Sequence, residues 1–203
     1  MRHRYPVDHQ GTPDLRPPTA HAVFGDDTTE QRLFAQFLLA QDPARAPSRW
    51  LAARLRGNAR LPAWIDRTLR RLGPIDGPAL ELGCGPVGAG AVWARHAGLT
   101  VLADVRPHSV AHAARVHRGE PRLATLVCDA HDPPFAAGSM ALVAALNLLD
   151  VSPQPWLLLG QIDALLRPGG RLVLALPYAD HLDGPAQLRA LLTGHHPGLP
   201  QLD

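Results

Sequence analysis

The chain has 203 residues, of which 46% are hydrophobic, and a formal net charge of +2. These values predict one globular domain with a substantial core and argue against a surface built to bind nucleic acid. No apolar run approaches the ~20 residues that span a bilayer, and the N-terminus lacks the apolar centre of a secretory signal, so we expect a cytoplasmic protein with no membrane partner. Cys84 and Cys128 are too few for a disulfide framework and are expected to be reduced.

Composition divides the chain into three stretches. Residues 1–24 are expected to form a mobile tail, residues 25–72 a set of helices acting as a lid or docking element, and residues 73–203 the main domain. The helices within the second stretch are predicted at 27–40, 48–55 and 62–72, with Pro62 as the first residue of the third. Eight arginines but one acid, Asp66, lie between positions 44 and 72. This asymmetry indicates either a solvated helix surface or a docking face for an acidic or phosphate-bearing partner.

Short apolar runs alternate with helical patterns in the main domain. Strands are predicted at 79–83, 99–104, 123–129, 140–146 and 171–177, and helices at 89–97, 107–118, 156–166 and 185–192. Continuous apolar strands are buried on both faces, as in a parallel sheet, and the alternation predicts a doubly wound α/β domain. Such sheets bind ligands beyond the carboxyl ends of their strands, so polar residues at those ends form the candidate site.

A glycine-rich turn, ELGCGPVG, follows the first predicted strand from position 81. Glycines let the backbone bend sharply near a ligand, although the spacing G-x-G-x-x-G also fits dinucleotide enzymes. Glu81 can meet a ligand's ammonium group directly or through water, Asp104 can accept from ribose hydroxyls, and Asp129 can accept from an adenine amino group. A nicotinamide enzyme would require neither Glu81 nor Asp129. The remaining alternative is that these acids merely cap the ends of strands.

With PGG (Pro168–Gly170) ahead of the fifth strand, this combination resembles the class I S-adenosylmethionine-dependent methyltransferases over residues 79–177. The resemblance implies a Rossmann-like methyltransferase sheet with S-adenosylmethionine as cofactor. The cofactor-binding residues that it implies are Glu81, Gly83 and Gly85 for the methionine part, Asp104 for the ribose, and Asp129 with Ala130 for the adenine. The chain departs from the family at Pro86-Val87, where many members carry a further glycine, and this affects the expected path of the loop.

The segment LNLLDVSPQP (Leu146–Pro155) interrupts the fourth strand with polar residues. The end of this strand lies beside the reactive methyl group in this fold, so we expect Asn147 and Leu148 to line the cofactor. NLLD, the following Q-P and the G-R-x-x-L-A-L strand from Gly170 resemble the DREV-type protein-histidine N-pros-methyltransferases. NLL and the later Pro177-Tyr178 are more weakly similar to the methyltransferase part of ovothiol synthases, which also act on an imidazole.

An imidazole acceptor suits these residues chemically. If Asp150 accepts from the distal N–H, the other ring nitrogen keeps its lone pair for the methyl group, and the carboxylate then stabilises the cationic product. Asn147 can hold the ring or a substrate carbonyl, and Tyr178 can form a wall of the pocket. Alternatively, Asn147 and Asp150 only shape a turn. Alternative functions are a small-molecule N- or O-methyltransferase of a biosynthetic pathway and a non-catalytic partner subunit that keeps the fold.

Three further features carry weaker expectations. His131 is either a general base that reaches the acceptor or a loop histidine without a role. His108 and His112 have a spacing that suits a metal, but no third ligand is evident, so surface histidines and no metal site are predicted. This fold normally adds two strands after the fifth, and the remaining sequence can form only a helix. We therefore expect either a shortened chain, or a homodimer or companion chain that covers the sheet edge.

Overall fold

The computed structural model describes residues 49–86 and 88–176, with side chains for all of these except 49–59 and 150. The predicted tail, the helices predicted at 27–40 and 185–192, and Tyr178 lie outside the described residues. The helices are α1 (Arg49–Leu72), α2 (Gly90–His96), α3 (Pro107–Val116) and α4 (Pro155–Leu165), with a short 3₁₀ helix at Leu149–Val151. The strands are β1 (Ala79–Leu82), β2 (Thr100–Asp104), β3 (Leu123–Val127), β4 (Met140–Leu146) and β5 (Leu166–Ala175). In this part of the chain, no helix combines the length and apolar character needed to cross a membrane.

The five strands form one parallel sheet in the order β3-β2-β1-β4-β5. The chain winds outward from β1 to β3 and then returns to the other side of β1 to form β4 and β5. The predicted doubly wound, Rossmann-like sheet is therefore confirmed. Because the direction of winding reverses between β1 and β4, the crevice for a ligand lies at the carboxyl ends of these two strands.

The sheet separates two apolar cores. β1, β2 and β4 are buried along their whole length, as expected for strands covered on both faces. Since side chains alternate along a strand, Leu142 and Ala144 join the core beneath α1, α2 and α3, whereas Val143 and Ala145 join the core beneath α4. Along β1, Glu81 lies between two residues of the core beneath α4, so its side chain points to the other face of the sheet, toward α2.

α1 is one continuous helix where two were predicted. We expected a break before Pro62, with this proline as the first residue of a new helix. An internal proline removes a backbone hydrogen bond at a cost of about 3 kcal/mol. The helix instead continues through Pro62, and the turns that follow bury Ile65 and Leu69 completely in the core. Burial of two large aliphatic side chains contributes about 1.5–3 kcal/mol each, which offsets the lost bond. The predicted break was wrong because tertiary packing outweighs the local signal.

Asp66 is the ionic centre that joins α1 to α2. Its carboxylate accepts from Arg70 Nε at 2.8 Å, from Arg95 at 3.2 Å and from His96 Nε2 at 2.9 Å. The hydrogen bond from His96, followed by that from Arg70, holds the pKa of Asp66 well below its usual range. The one acid of the arginine-rich stretch thus fixes the helix that follows the glycine turn. A docking role for this stretch stays a prediction.

Gly90 allows α2 to pack closely on the sheet. A Cβ at this position would lie 2.8 Å from Leu102 Cδ1 and 3.0 Å from Leu123 Cδ1. Leu102 is fully buried, so its side chain has little room to move. We expect Gly90→Ala to lower the free energy of unfolding by about 1–3 kcal/mol, as overpacking does, measured by urea denaturation. The matched control is Gly160→Ala in α4, where a Cβ meets nothing within 4 Å and stability should rise by about 1 kcal/mol or less.

Candidate functional site

The turn after β1 brings three glycines with left-handed backbone conformations to the carboxyl end of the sheet. Gly83, Gly85 and Gly88 have φ values of 65°, 61° and 61°, which side chains with a Cβ adopt only with strain. A Cβ on Gly83 would also lie 2.7 Å from Leu148 Cδ1. Leu148 therefore packs directly on the glycine turn, and the segment after β4 lies against the segment after β1. Val87, the position of the departure from the family pattern, is outside the described residues.

Glu81 is buried beneath this turn. Its Oε2 accepts from the backbone N–H of Ala89 at 2.9 Å and from the indole Nε1 of Trp93 at 2.7 Å, and the side chain is almost wholly shielded from solvent. Gly88 suits this position, since its φ is left-handed and a Cβ there would lie 3.3 Å from Glu81 Oε2. Burial raises the pKa of Glu81 to about 7, and the Asp104 charge acts in the same direction, while the two donors oppose the shift. Both described hydrogen bonds fall on Oε2, which leaves Oε1 for a ligand.

Asp104 ends β2 and holds the glycine turn in place. Its Oδ2 accepts from the Gly85 N–H at 2.9 Å, and its Oδ1 accepts from the Arg106 N–H at 2.9 Å. The side chain is buried, yet each carboxylate oxygen has a second lone pair that can accept a hydrogen bond from a ligand. Asp104 is thus both an anchor for the loop and a candidate acceptor for hydroxyl groups.

Asp129 belongs to a chain of hydrogen bonds that starts after β3. Its Oδ1 accepts from the backbone N–H of His131 at 2.8 Å and lies 2.9 Å from His131 Nδ1. His131 Nε2 lies 2.8 Å from Ser152 Oγ, which also accepts from the backbone N–H of Gln154 at 3.2 Å. Ala130 packs against the core beneath α4. The loop after β3 is therefore connected to the segment after β4.

The NLLD segment leaves β4 through a left-handed residue. Asn147 has a φ of 57°, a conformation that asparagine tolerates better than most residues, and its N–H donates to the Ala175 carbonyl at 2.8 Å. A turn-forming role for Asn147 is therefore present in the structure. Leu149 is buried in the α4 core, and the 3₁₀ helix Leu149–Val151 sets the backbone of Asp150. The side chain of Asp150 lies outside what the structure describes.

The G-R pair at the start of the fifth-strand motif has a structural explanation away from the site. Arg171 pairs with the beginning of β4, and its guanidinium donates to the Gly73 carbonyl at 3.0 Å. Arg167 reaches the Asp76 carbonyl in the same region. β5 also begins at Leu166 rather than at 171, because Leu166 pairs with Met140 across a register shift in β4. The Gly-Arg pair that contributes to the resemblance to histidine methyltransferases therefore lies at the amino end of the sheet, away from the candidate site.

The remaining sequence candidates do not form a second site among the described residues. Cys84 and Cys128 are both buried thiols, and burial raises the pKa of the Cys84 thiol well above its usual value. His108 and His112 are half-buried. Over residues 49–86 and 88–176, no group of three or more potential metal ligands is arranged to hold an ion.

The structure thus brings most predicted residues to one end of the sheet. Glu81 and Asp104 both contact the glycine turn, and Leu148 packs on it. Sequence reasoning missed two partners in this region, Trp93 and Ser152. Trp93 could have been anticipated, because a buried indole N–H requires an acceptor and α2 begins directly after the turn that covers Glu81. No comparable signal in the sequence pointed to Ser152.

Comparisons with known proteins agree with this geometry. Residues 80–174 match the family model of the methyltransferase domain, whereas the sequence matches no curated protein. The fold is similar to that of YcgJ from Bacillus subtilis, with 12% identity, a TM-score of 0.58 and 66% of each chain covered. It is also similar to a Haloferax volcanii protein described as a methyltransferase, in complex with the methyltransferase activator Trm112, with 21% identity, a TM-score of 0.54 and coverage of 65% of this chain and 67% of that one.

A third similar structure is phosphoethanolamine N-methyltransferase 2 of Haemonchus contortus in complex with S-adenosylmethionine, with 20% identity and a TM-score of 0.54. The match covers 66% of this chain and 36% of that chain. The chain therefore spans about two thirds or less of the length of these three structures. At these identities, the likeness concerns the fold alone.

Residues 80–174 match a methyltransferase domain in sequence, and their Rossmann-like sheet agrees with that match. One structure of similar fold holds S-adenosylmethionine, which supports the cofactor predicted from the sequence. The residues at the strand ends fit this cofactor. The carboxyl groups of Glu81, Asp104 and Asp129 complement an ammonium group, ribose hydroxyls and an adenine amino group, respectively. The glycine turn exposes backbone where the ligand must approach closely. The match favours this interpretation over the nicotinamide enzyme considered above.

Proposed function

We propose that this chain transfers a methyl group from S-adenosylmethionine to an imidazole nitrogen of histidine in a protein, a peptide or a histidine derivative. The observation that carries the proposal is the position of the NLLD segment. Leu148, in the middle of the segment, packs on Gly83 of the cofactor turn, which supports the assignment of Asn147 and Asp150 to the region where the methyl group would be presented. The resemblance of this segment to histidine N-pros-methyltransferases supplies the class of acceptor.

The cofactor half of the proposal assigns one task to each carboxyl group. Glu81 binds the ammonium group of the methionine part, and Asp104 accepts from the ribose hydroxyls. Asp129, with the backbone of Ala130, binds the adenine. When bound, S-adenosylmethionine supplies an electrophilic methyl group on a sulfonium. The chain contributes by aligning the acceptor nitrogen with that methyl, and alignment of reactants can supply several kcal/mol, up to about 7–11, of barrier reduction.

The acceptor half assigns the tautomer of the substrate to Asp150. A carboxylate that accepts from one ring N–H leaves the lone pair of the other nitrogen free to attack. Asn147 holds the ring or a neighbouring carbonyl by its amide, and Tyr178 contributes a wall. No covalent intermediate with the protein is required, because the imidazole nitrogen is itself the nucleophile.

Calorimetric titration and isotope transfer test the function. We expect S-adenosylmethionine to bind, and labelled methyl groups to appear on histidine when the protein is incubated with histidine-containing peptides and the products are analysed by mass spectrometry. Label confined to a small molecule that lacks an imidazole would favour the biosynthetic alternative. If the protein does not bind the cofactor, even with a partner present, the remaining interpretation is a non-catalytic subunit that keeps the fold.

Asp104→Ala tests the cofactor assignment. We expect the dissociation constant for S-adenosylmethionine to rise by at least about 10-fold, since hydrogen bonds to a charged acceptor contribute about 1.5–3 kcal/mol. Part of this loss comes from the loop, because the Gly85 N–H loses its acceptor. Asp163→Ala, at an exposed acid of α4, is the matched control. An unchanged affinity in a folded Asp104→Ala variant would contradict the ribose assignment.

A companion chain also stays a prediction. β5 is the outer strand on one side of the sheet within the described residues, and an outer strand presents backbone groups that another chain can pair with. One protein of similar fold is described in complex with an activator, Trm112. In a homodimer, a second copy of this chain could pair with the same outer strand.

A further inference from the structure

The hydrogen bonds around His131 connect two loops at the carboxyl edge of the sheet. His131 follows β3 and Ser152 follows β4, and these strands are separated in the sheet by β2 and β1. The contact between His131 Nε2 and Ser152 Oγ, at 2.8 Å, therefore links the two loops on either side of the glycine turn. The side chains of Asp129 and His131 are only 16% and 14% exposed, so water competes weakly for this link.

One assignment of hydrogens satisfies every group in the chain. An ionised carboxylate only accepts, so Asp129 Oδ1 requires the proton of the His131 ring to be on Nδ1. With that proton on Nδ1, Nε2 can accept from the Ser152 hydroxyl, whose oxygen accepts from the Gln154 N–H. Both ring nitrogens are engaged inside the protein. This arrangement disfavours the general-base role considered for His131 and indicates that it holds other residues in place.

We propose that His131 is a positioning residue that couples the adenine-binding carboxylate Asp129 to the acceptor-side segment 149–152. The proposal rests on the proposed function for the identity of the two subsites, but not on histidine as the acceptor. His131 orients Oδ1 of Asp129, which leaves Oδ2 for the adenine amino group. Through Ser152 it fixes the 3₁₀ helix that carries Asp150. Cofactor binding and order in the acceptor-side segment therefore depend on each other.

Apolar packing supports the same coupling. Ala130 and Phe135, in the loop after β3, pack against the core beneath α4, and Leu148 and Leu149, in the segment after β4, belong to the same cluster. The two loops thus share one apolar base, and the His131–Ser152 contact is their polar connection.

Hydrogen exchange with mass spectrometry tests the coupling without an acceptor substrate. We expect S-adenosylmethionine to slow amide exchange in residues 128–132 and also in residues 150–154 of the wild-type protein. His131→Asn keeps a donor near the position of Nδ1 but cannot reach Ser152. In His131→Asn and in Ser152→Ala, the cofactor should slow exchange in residues 128–132 only. Combining the two substitutions should add nothing, as expected for residues that act through one link.

Affinity measurements separate the two halves of the link. His131→Gln places a polar group near Ser152 but loses the side-chain bond to Asp129, while the backbone N–H of residue 131 still donates to it. Its dissociation constant for S-adenosylmethionine should rise by about 10-fold. His131→Asn should stay within about threefold of wild type, because it keeps the donor to Asp129. Gln154→Ala is the matched control, since it alters an exposed side chain of the same segment and leaves the backbone N–H to Ser152 intact.

The outcomes separate this inference from the proposed function. Equal protection of residues 150–154 by cofactor in wild type, His131→Asn and Ser152→Ala would overturn the coupling and leave the methyltransferase function untouched. A lower melting temperature in these variants, without any change in cofactor affinity or in protection from exchange, would show a purely structural role for His131. That result would also overturn the coupling. If the wild-type protein does not bind S-adenosylmethionine, the proposed function and this inference both fail.

Discussion

Replacing Asp150 with alanine is expected to lower the rate of methyl transfer to a histidine-containing peptide by about 100-fold or more, as loss of one preorganised group at a site of developing charge typically does. The affinity for S-adenosylmethionine should change little, because Asp150 is assigned to the acceptor. The neutral imidazole becomes cationic as the methyl group arrives, and the carboxylate stabilises this charge. It also selects the tautomer whose free lone pair can attack.

Two further variants separate charge from shape at this position. Asp150→Asn keeps an oxygen that can accept from the ring N–H but loses the negative charge, so its rate should fall between those of wild type and Asp150→Ala. Asp163→Ala, at the exposed acid in α4, should keep the full rate. The measurement is single-turnover transfer of labelled methyl at saturating cofactor. A full rate in Asp150→Ala on an identified histidine would remove the imidazole-orienting role.

The fold could be predicted because its signals are local and redundant. β4 is an unbroken apolar run, β1 and β2 are apolar except for Glu81, Thr100 and Asp104, and each strand is followed by a turn and a helical pattern. A parallel sheet is the arrangement that buries both faces of such strands. The bounds of β4, Met140–Leu146, agree with the prediction. The break at Pro62 was wrong because the sequence does not reveal that Ile65 and Leu69 are held in the core.

The site could be predicted only as far as the ends of the strands. Glu81, Asp104 and Asp129 stand at those ends, and parallel strands bring their carboxyl ends to one edge. The partners of these carboxyl groups could not be read from the sequence, because each contact depends on how a loop folds. Ser152 lies 21 positions from His131, and only the path of two loops across the sheet brings them together. The left-handed conformation of Asn147 likewise becomes visible only in the structure.

The raised pKa of Glu81 has a defined consequence for stability. Burial raises this pKa from 4.5 to about 7, so between these values the folded protein holds a proton that the unfolded chain has lost. Stability from this group is complete below pH 4.5 and falls as the pH rises toward 7, by about 3 kcal/mol in all. The lowered pKa of Asp66 affects stability only at pH values near and below 3.8, its usual pKa, which lies outside the pH range from 4.5 to 7. Glu81→Gln should therefore gain stability relative to wild type between pH 5 and pH 7.5, measured by urea denaturation at each pH.

The same carboxyl group should make cofactor binding depend on pH in the opposite direction. An ammonium group beside Glu81 favours the ionised form, so binding must expel the proton that burial retains below pH 7. The affinity of wild type for S-adenosylmethionine should rise by up to about 10-fold per pH unit below pH 7, with proton release detected by calorimetry in buffers of different ionisation enthalpy. Glu81→Gln should bind about 30- to 100-fold more weakly at pH 7.5, since a buried ammonium group loses its partner, and its affinity should not vary with pH. An equal pH dependence in wild type and Glu81→Gln would show that the ammonium group meets a different residue.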